Sequence, residues 1–212
     1  MSKLILVRHG KSEWNKLGLW TGLTDVGLTE EGREEARRAG LSIQEADIQI
    51  DKAYTSKLKR TKETLSEIEI ALGMDIPEKG ETPAINERDY GIYTGKNKWQ
   101  IKEEVGEDEF KKIRRGWDTV IPKGESLKDV YARVMPFYER DVLADLKEGK
   151  NILIVGSGNS LRALIKGLEN MTDDEIGNLE FGTGEVYVYD IGDDGKPTNK
   201  QILADNPDKL KT

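Results

Sequence analysis

The chain has 212 residues, 33 Lys+Arg against 40 Asp+Glu, a formal net charge of −7, a single histidine and no cysteine. With 36% hydrophobic residues, this length excludes a disordered chain or a disulfide scaffold and fits one domain over residues 1–212. The acidic balance argues against a nucleic-acid partner; zero cysteine excludes zinc–cysteine and iron–sulfur centres, and the lone His9 excludes a multi-histidine metal site within the chain.

The first predicted element is a strand, Lys3-Leu-Ile-Leu-Val-Arg8, opening into His9-Gly10. It follows Met1-Ser2 directly, without the long apolar stretch of a signal peptide, so a cytoplasmic protein is expected. No apolar run approaches the ~20 residues of a membrane span. After a loop rich in Trp and Gly, Thr29-Glu30-Glu31 reads as the cap and acidic first turn of a helix. A second strand over 52–56 runs into a helix over 58–72, where Leu58, Leu65, Ile68 and Leu72 keep helical spacing and Gly73 offers a stop.

Residues 126–150 read as one long helix with Leu127, Val130, Val134 and Phe137 on one side, kinked at Pro136. A third strand, Asn151-Ile-Leu-Ile-Val-Gly156, turns at Ser157-Gly158-Asn159 into a helix over 160–168. Thr172-Asp-Asp-Glu175 has the form of a capping box, and Glu185-Val-Tyr-Val-Tyr-Asp190 alternates like a half-exposed edge strand. The polar tail, 206–212, is expected to fray. Short apolar runs, tight polar turns and helical patterns in alternation imply an α/β fold of three layers, a mostly parallel central sheet flanked by helices.

In such a sheet, ligands collect at the carboxyl ends of strands, where turns present helix N-termini and free amides. Those ends carry Arg8-His9-Gly10, Ser56 with Arg60 one turn later, and Ser157-Gly158-Asn159. Two arginines and one imidazole at one edge suit a phosphoryl group, because guanidinium forks bind its oxygens bidentately. Beside arginines a histidine can be a phosphate-binding cation or, when neutral, a nucleophile toward phosphorus; nearby positive charge favours the neutral form, and by pattern alone a lone histidine is more often structural.

The ordered series Leu6–Asn15, Trp20-Thr-Gly22, Leu28–Gly32, Thr55–Arg60, Asn86-Glu-Arg-Asp-Tyr-Gly91, Arg114-Arg115, Gly124-Glu-Ser126 and Gly158–Ala163 resembles the cofactor-dependent phosphoglycerate mutases of the histidine phosphatase superfamily. The resemblance covers about residues 3 to 190. It implies a glycolytic and gluconeogenic isomerase that interconverts 3- and 2-phosphoglycerate, primed by 2,3-bisphosphoglycerate and needing no metal. The partner would be a small phosphorylated three-carbon acid, and homo-oligomers occur in the family.

Residue by residue, the resemblance makes His9 the phosphorylated histidine, with Arg8 and Arg60 gripping the phosphoryl group and Asn15, Thr21 and Gly22 adding contacts. Glu87 becomes the proton donor and acceptor. Arg88, Tyr90, Lys98, Arg114 and Arg115 fall at positions that hold the substrate, and Gly158 and Asn159 at the turn that donates to the transferred phosphate. On composition alone Arg114-Arg115 reads as a solvated charge run and Glu87 as a surface carboxylate; family position reverses both readings. Trp20, Trp99 and Trp117 keep the reading of packing residues.

The chain departs from the family where a second histidine precedes Gly-Asn-Ser, for here that residue is Ser157. Losing one such donor to a phosphoryl group in transit costs about 10²–10³ in rate. Lys11 stands in place of a glutamate, adding positive charge beside the pocket, and Asp89 in place of a histidine. A mutase impaired by Ser157 is the leading expectation; a histidine-type phosphatase and a catalytically weak metabolite-binding relative are the alternatives.

Overall fold

A computed structural model describes residues 2–207 of the chain. In chain order its elements are β1 (Ser2–Arg8), α1 (Glu13–Lys16), α2 (Glu30–Glu45), β2 (Lys52–Thr55), α3 (Lys59–Leu72), β3 (Glu78–Glu81), α4 (Lys98–Val105), α5 (Glu107–Arg115), α6 (Leu127–Phe137), α7 (Leu143–Lys147), β4 (Ile152–Gly156), α8 (Gly158–Glu169), α9 (Asp173–Asn178), β5 (Val186–Ile191) and β6 (Pro197–Ala204). The strands form one sheet in the order β3-β2-β4-β1-β5-β6. β3, β2, β4 and β1 run parallel, while β5 lies antiparallel to β1 and β6 antiparallel to β5. The α/β expectation holds, with a mixed sheet whose parallel strands lie at one side.

Alternation along each central strand divides its side chains between two cores. Leu4, Leu6, Ile152, Ile154, Tyr187 and Tyr189 pack under Leu127, Val130 and Val134 of α6 and Leu161, Leu164 and Ile165 of α8. Ile5, Val7, Leu153, Val155, Val186 and Val188 face the opposite way, onto Ala39 and Ile43 of α2 and Leu65 and Ile68 of α3. A third, smaller cluster of Trp20, Tyr90, Phe110, Ile113 and Ile121 sits apart from both and, through Trp20 and Tyr90, forms a wall of the cleft described below.

Several expectations need correction. The 185–190 segment is interior: β5 is paired on both sides, and all its residues except Asp190 are buried. Alternation was misleading there because helices cover both faces of the sheet. The cause of its two-sided pairing is β6, a strand with little apolar pattern, like β3 at the opposite edge. An edge strand exposed to solvent needs few apolar residues, since its neighbour supplies the ladder.

The 126–150 helix runs through Pro136 without ending and is interrupted two residues later, where residues 138–142 form a π-helical segment before α7. Such a widened turn accommodates backbone strain in an otherwise continuous helix. α8 begins at Gly158, two residues earlier than expected. Within the tail, Asn206 is tied down, its N–H donating to Glu185 Oε1 at 3.1 Å and its Nδ2 to Thr183 O at 2.8 Å; residues 208–212 lie outside the described residues. No helix among the described residues is long and apolar enough to cross a membrane.

Candidate active site

The carboxyl ends of β1, β2 and β4 meet at one edge of the sheet. Because β5 is antiparallel, its amino end, with the 179–185 loop leading into it, arrives there as well. His9 N donates to Gly156 O at 3.0 Å and Arg8 N to Glu185 O at 3.3 Å, which fastens the turn after β1 between β4 and β5. Gly10 follows because nothing larger fits: a Cβ on it would stand 2.0 Å from Gly32 O, at the start of α2. Gly158 lies close under Arg8 in the same way, its missing Cβ 3.3 Å from Arg8 Nε.

His9 is buried, and its two ring nitrogens have distinct partners. Nδ1 lies 2.7 Å from Gly10 O, which can only accept, while Arg60 Nε, which can only donate, lies 3.3 Å from Nε2. Both contacts are satisfied by one tautomer: neutral imidazole, proton on Nδ1, lone pair on Nε2. Burial, then the charges of Arg60 and Arg8, hold the ring well below the ordinary histidine pKa. Arg60 is fixed by Thr24 O at 2.9 Å and Gly22 O at 3.0 Å. Each of its terminal nitrogens keeps a second N–H for another acceptor. Arg8 Nη1 donates to Phe181 O at 2.7 Å.

Glu87 Oε1 gathers three donors: Arg88 N at 2.7 Å, Asn159 Nδ2 at 3.0 Å and Asn159 N at 3.3 Å. Burial pushes its pKa up, yet the Arg88 amide, Arg60, the Asn159 side chain and Arg8 together hold it below the ordinary carboxylate value. Glu87 is therefore an anion at neutral pH, bonded through one oxygen. Asn159 Nδ2 also donates to Tyr90 Oη at 2.8 Å, and Arg162 Nη1 donates to Asn159 Oδ1 at 2.9 Å, which orients the amide.

A cleft of about 490 Å³ opens above these groups. Of the expected residues, Arg8, Asn15, Thr21, Gly22, Glu87, Tyr90, Lys98, Arg114, Arg115, Gly158 and Asn159 line it. His9, Arg60 and Ser157 are buried outside that lining. Thr21 Oγ1 is buried with no hydrogen-bond partner among the described residues, and Ser157 Oγ is buried at the cap of α8. Lys98 is buried too; burial, then Arg114, Arg8 and Arg115, bring its pKa down to about 7. Arg114 falls to about 10 for the same reasons, burial first and Arg115 second.

Several expectations are refined. Arg88 is fully buried, its Nη2 donating to Ile113 O at 2.5 Å at the end of α5 and its guanidinium stacked 4.5 Å from the Tyr90 ring, so it supports the wall instead of lining the cleft. Lys11 spends its charge on Glu31, 3.0 Å away, and does not line the cleft. Asn15 is half engaged as a cap, its Oδ1 accepting from Ser12 Oγ at 2.9 Å. Trp20 packs at 4.4 Å from Tyr90 and also lines the cleft, while Trp99, 42% exposed, packs against Phe110 with ring centroids 6.2 Å apart. Trp117 packs as expected, at 5.4 Å from Tyr131. Asp89 shapes the neighbouring turn by accepting from Gly91 N at 2.8 Å.

Three cleft residues, Arg162, Glu180 and Phe181, had no assigned role in the sequence. Arg162 stands inside the Gly158–Ala163 motif, which could have flagged it. Glu180, bonded to Arg115, sits in Asn178-Leu-Glu-Phe181 with no motif around it.

The family model described as histidine phosphatase superfamily (branch 1) matches residues 4–202. A 2,3-bisphosphoglycerate-dependent phosphoglycerate mutase of Parvibaculum lavamentivorans is 43% identical over 202 residues, covering 95% of this chain and 96% of its own. A protein of the same description from Lactobacillus johnsonii is 41% identical, covering 97% of this chain and 100% of its own. The chain belongs to this mutase family of the histidine phosphatase superfamily. Among solved structures it is similar in fold to YhfR of Bacillus stearothermophilus, with TM-score 0.79, 24% identity and coverage of 93% of this chain and 94% of that one. A mycobacterial glucosyl-3-phosphoglycerate phosphatase shares the fold at TM-score 0.78 and 21% identity, over 97% of this chain and 99% of that one.

Proposed function

We propose that the protein interconverts 3- and 2-phosphoglycerate in the cytoplasm through a phosphohistidine at His9, at a rate limited by Ser157. The observation that carries this reading is the tautomer of His9, a neutral ring whose Nε2 faces Arg60 at 3.3 Å and feels the charges of Arg60 and Arg8, the same two arginines that help to keep Glu87 ionised.

2,3-Bisphosphoglycerate has two phosphates and a carboxylate, and the site is rich in groups that suit it. Arg8, Arg60, Lys98, Arg114 and Arg115 would hold it, together with the buried hydroxyls of Thr21, which has no hydrogen-bond partner among the described residues, and Ser157. When bound it supplies the phosphoryl group that primes His9. The residues do the rest. His9 Nε2 forms the bond to phosphorus as the ester oxygen departs, and Glu87, carrying the proton it took from a substrate hydroxyl in the other half-reaction, delivers it to that oxygen. In the return step a substrate hydroxyl gives its proton to Glu87 as its oxygen attacks, and the bond from Nε2 to phosphorus breaks. The donors to Glu87 all converge on Oε1, which leaves Oε2 to carry the proton. The arginines neutralise charge on the phosphoryl group in flight.

Ser157 offers one hydroxyl where the family has an imidazole, and about 10²–10³ in rate should be missing. The test is intact mass after incubation with 2,3-bisphosphoglycerate, followed by 3-phosphoglycerate conversion in the parent and in Ser157→His. A phosphoryl adduct abolished by His9→Ala, with turnover raised about 100-fold or more by Ser157→His, is expected. No adduct in either Ser157 form refutes the reading, and release of inorganic phosphate without isomerisation replaces it with a phosphatase.

A further inference from the structure

A cleft that gathers cations for an anionic ligand also contains a second carboxylate, and the proton transfer at Glu87 does not account for it. Glu180 lines the cleft and binds Arg115 bidentately, accepting from Nε at 2.8 Å and from Nη2 at 2.5 Å. The remaining nitrogen of that fork, Nη1, reaches Arg114 O at 3.4 Å. The Arg115 guanidinium is thus held in the geometry that a ligand's carboxylate or phosphate would use. Side-chain exposures of 13% for Arg115 and 21% for Glu180 keep solvent from screening the pair. The backbone around Glu180 is pinned, with Leu179 O accepting from Arg162 Nε at 3.0 Å and Phe181 O from Arg8 Nη1 at 2.7 Å. Only the Glu180 side chain is left to move.

We propose that Glu180 is a specificity-determining residue: it occupies Arg115 in place of a ligand's distal anionic group, and a ligand with a second anionic group must displace it. This rests on the mutase reading above and refines which part of the ligand the cleft weighs. A ligand that carries only the transferring phosphoryl group has no group to exchange for Glu180 and is indifferent to it. A phosphorylated acid makes the exchange and bears its cost, because the released carboxylate stays in the cleft as a like charge. Glu180 therefore lowers the affinity for the whole substrate and leaves that for the bare phosphate alone, so retention of substrate and product is reduced.

The experiment is calorimetric titration of the parent, E180Q and E180A with 3-phosphoglycerate and, separately, inorganic phosphate. With 2,3-bisphosphoglycerate left out, His9 is not primed, and the titrations measure binding without turnover. In E180Q the Kd for 3-phosphoglycerate should fall about tenfold, while that for inorganic phosphate changes by less than about twofold. The gain should largely disappear when E180Q is combined with R115Q, because the contested fork is then gone. Unchanged or weakened 3-phosphoglycerate binding in both Glu180 variants overturns the proposal, and so does equal tightening of both ligands, which would mark a general field effect. A parent that does not bind 3-phosphoglycerate refutes the mutase reading itself, whereas parental binding matched by both variants refutes only the role of Glu180.

Discussion

Replacing Lys98 by methionine should separate what the cleft does for ligand from what it does to the fold. Methionine keeps most of the stem and removes the charge. Lys98 is only 8% exposed, and burial, then Arg114, Arg8 and Arg115, lower its pKa from 10.5 to about 7. At about 1.4 kcal/mol for each pH unit between those values, charging it in the ligand-free protein costs at most about 5 kcal/mol. Water in the open cleft screens part of this, and the expected gain in K98M is about 2–3 kcal/mol at pH 6, roughly 5–10 °C in Tm.

The sign follows from proton linkage. The folded protein holds this proton less tightly than the unfolded chain, so parental stability rises between pH 7 and 10.5. The advantage of K98M is accordingly complete below pH 7 and gone above 10.5. Denaturant unfolding of parent and variant at both extremes measures the gap. Binding of 3-phosphoglycerate should weaken in K98M by about 10- to 100-fold, and the proton uptake that accompanies binding to the parent at pH 8 should vanish. A variant no more stable than the parent at pH 6, or a gap that persists at high pH, would refute the reasoning.

In Asn159→Leu, Glu87 Oε1 loses a 3.0 Å donor and keeps the Arg88 amide, so its pKa rises toward the value burial dictates. The acidic limb of the phosphotransfer rate should move up by about one pH unit, with a rate about 10- to 100-fold lower; an unmoved limb would mean Asn159 does not set the ionisation of Glu87. Gly10→Ala places a Cβ 2.0 Å from a backbone oxygen of α2, which cannot rotate away. A loss of about 3 kcal/mol or more is expected in chemical denaturation, and parental stability would show that the turn after β1 yields.

Much of the site was legible because its chemistry resides at the ends of strongly patterned elements. The runs 4–7 and 152–155 can only be buried strands, and the turns that end them carry His9 and Asn159. Their places at strand ends put these residues at one edge of the sheet. The resemblance then gave Glu87, Tyr90, Lys98 and Arg114 their roles, and all four line the cleft.

What the sequence by itself determined was the three-layer α/β plan and the chemical type of the site, since apolar periodicity and turn composition are local properties of the chain. Only the tertiary structure decided the rest, because each remaining feature depends on a neighbour distant in sequence. β6 pairs with β5 and turns an apparent edge strand into an interior one. The antiparallel course of β5 delivers Glu180 and Phe181 to the edge where the strand ends meet, where the first ties up Arg115 and the second anchors Arg8. Arg88 and Arg115 are similar residues in similar charge runs. One is buried against carbonyls of α5 and the other faces the cleft, and that difference arises from packing that no local pattern encodes.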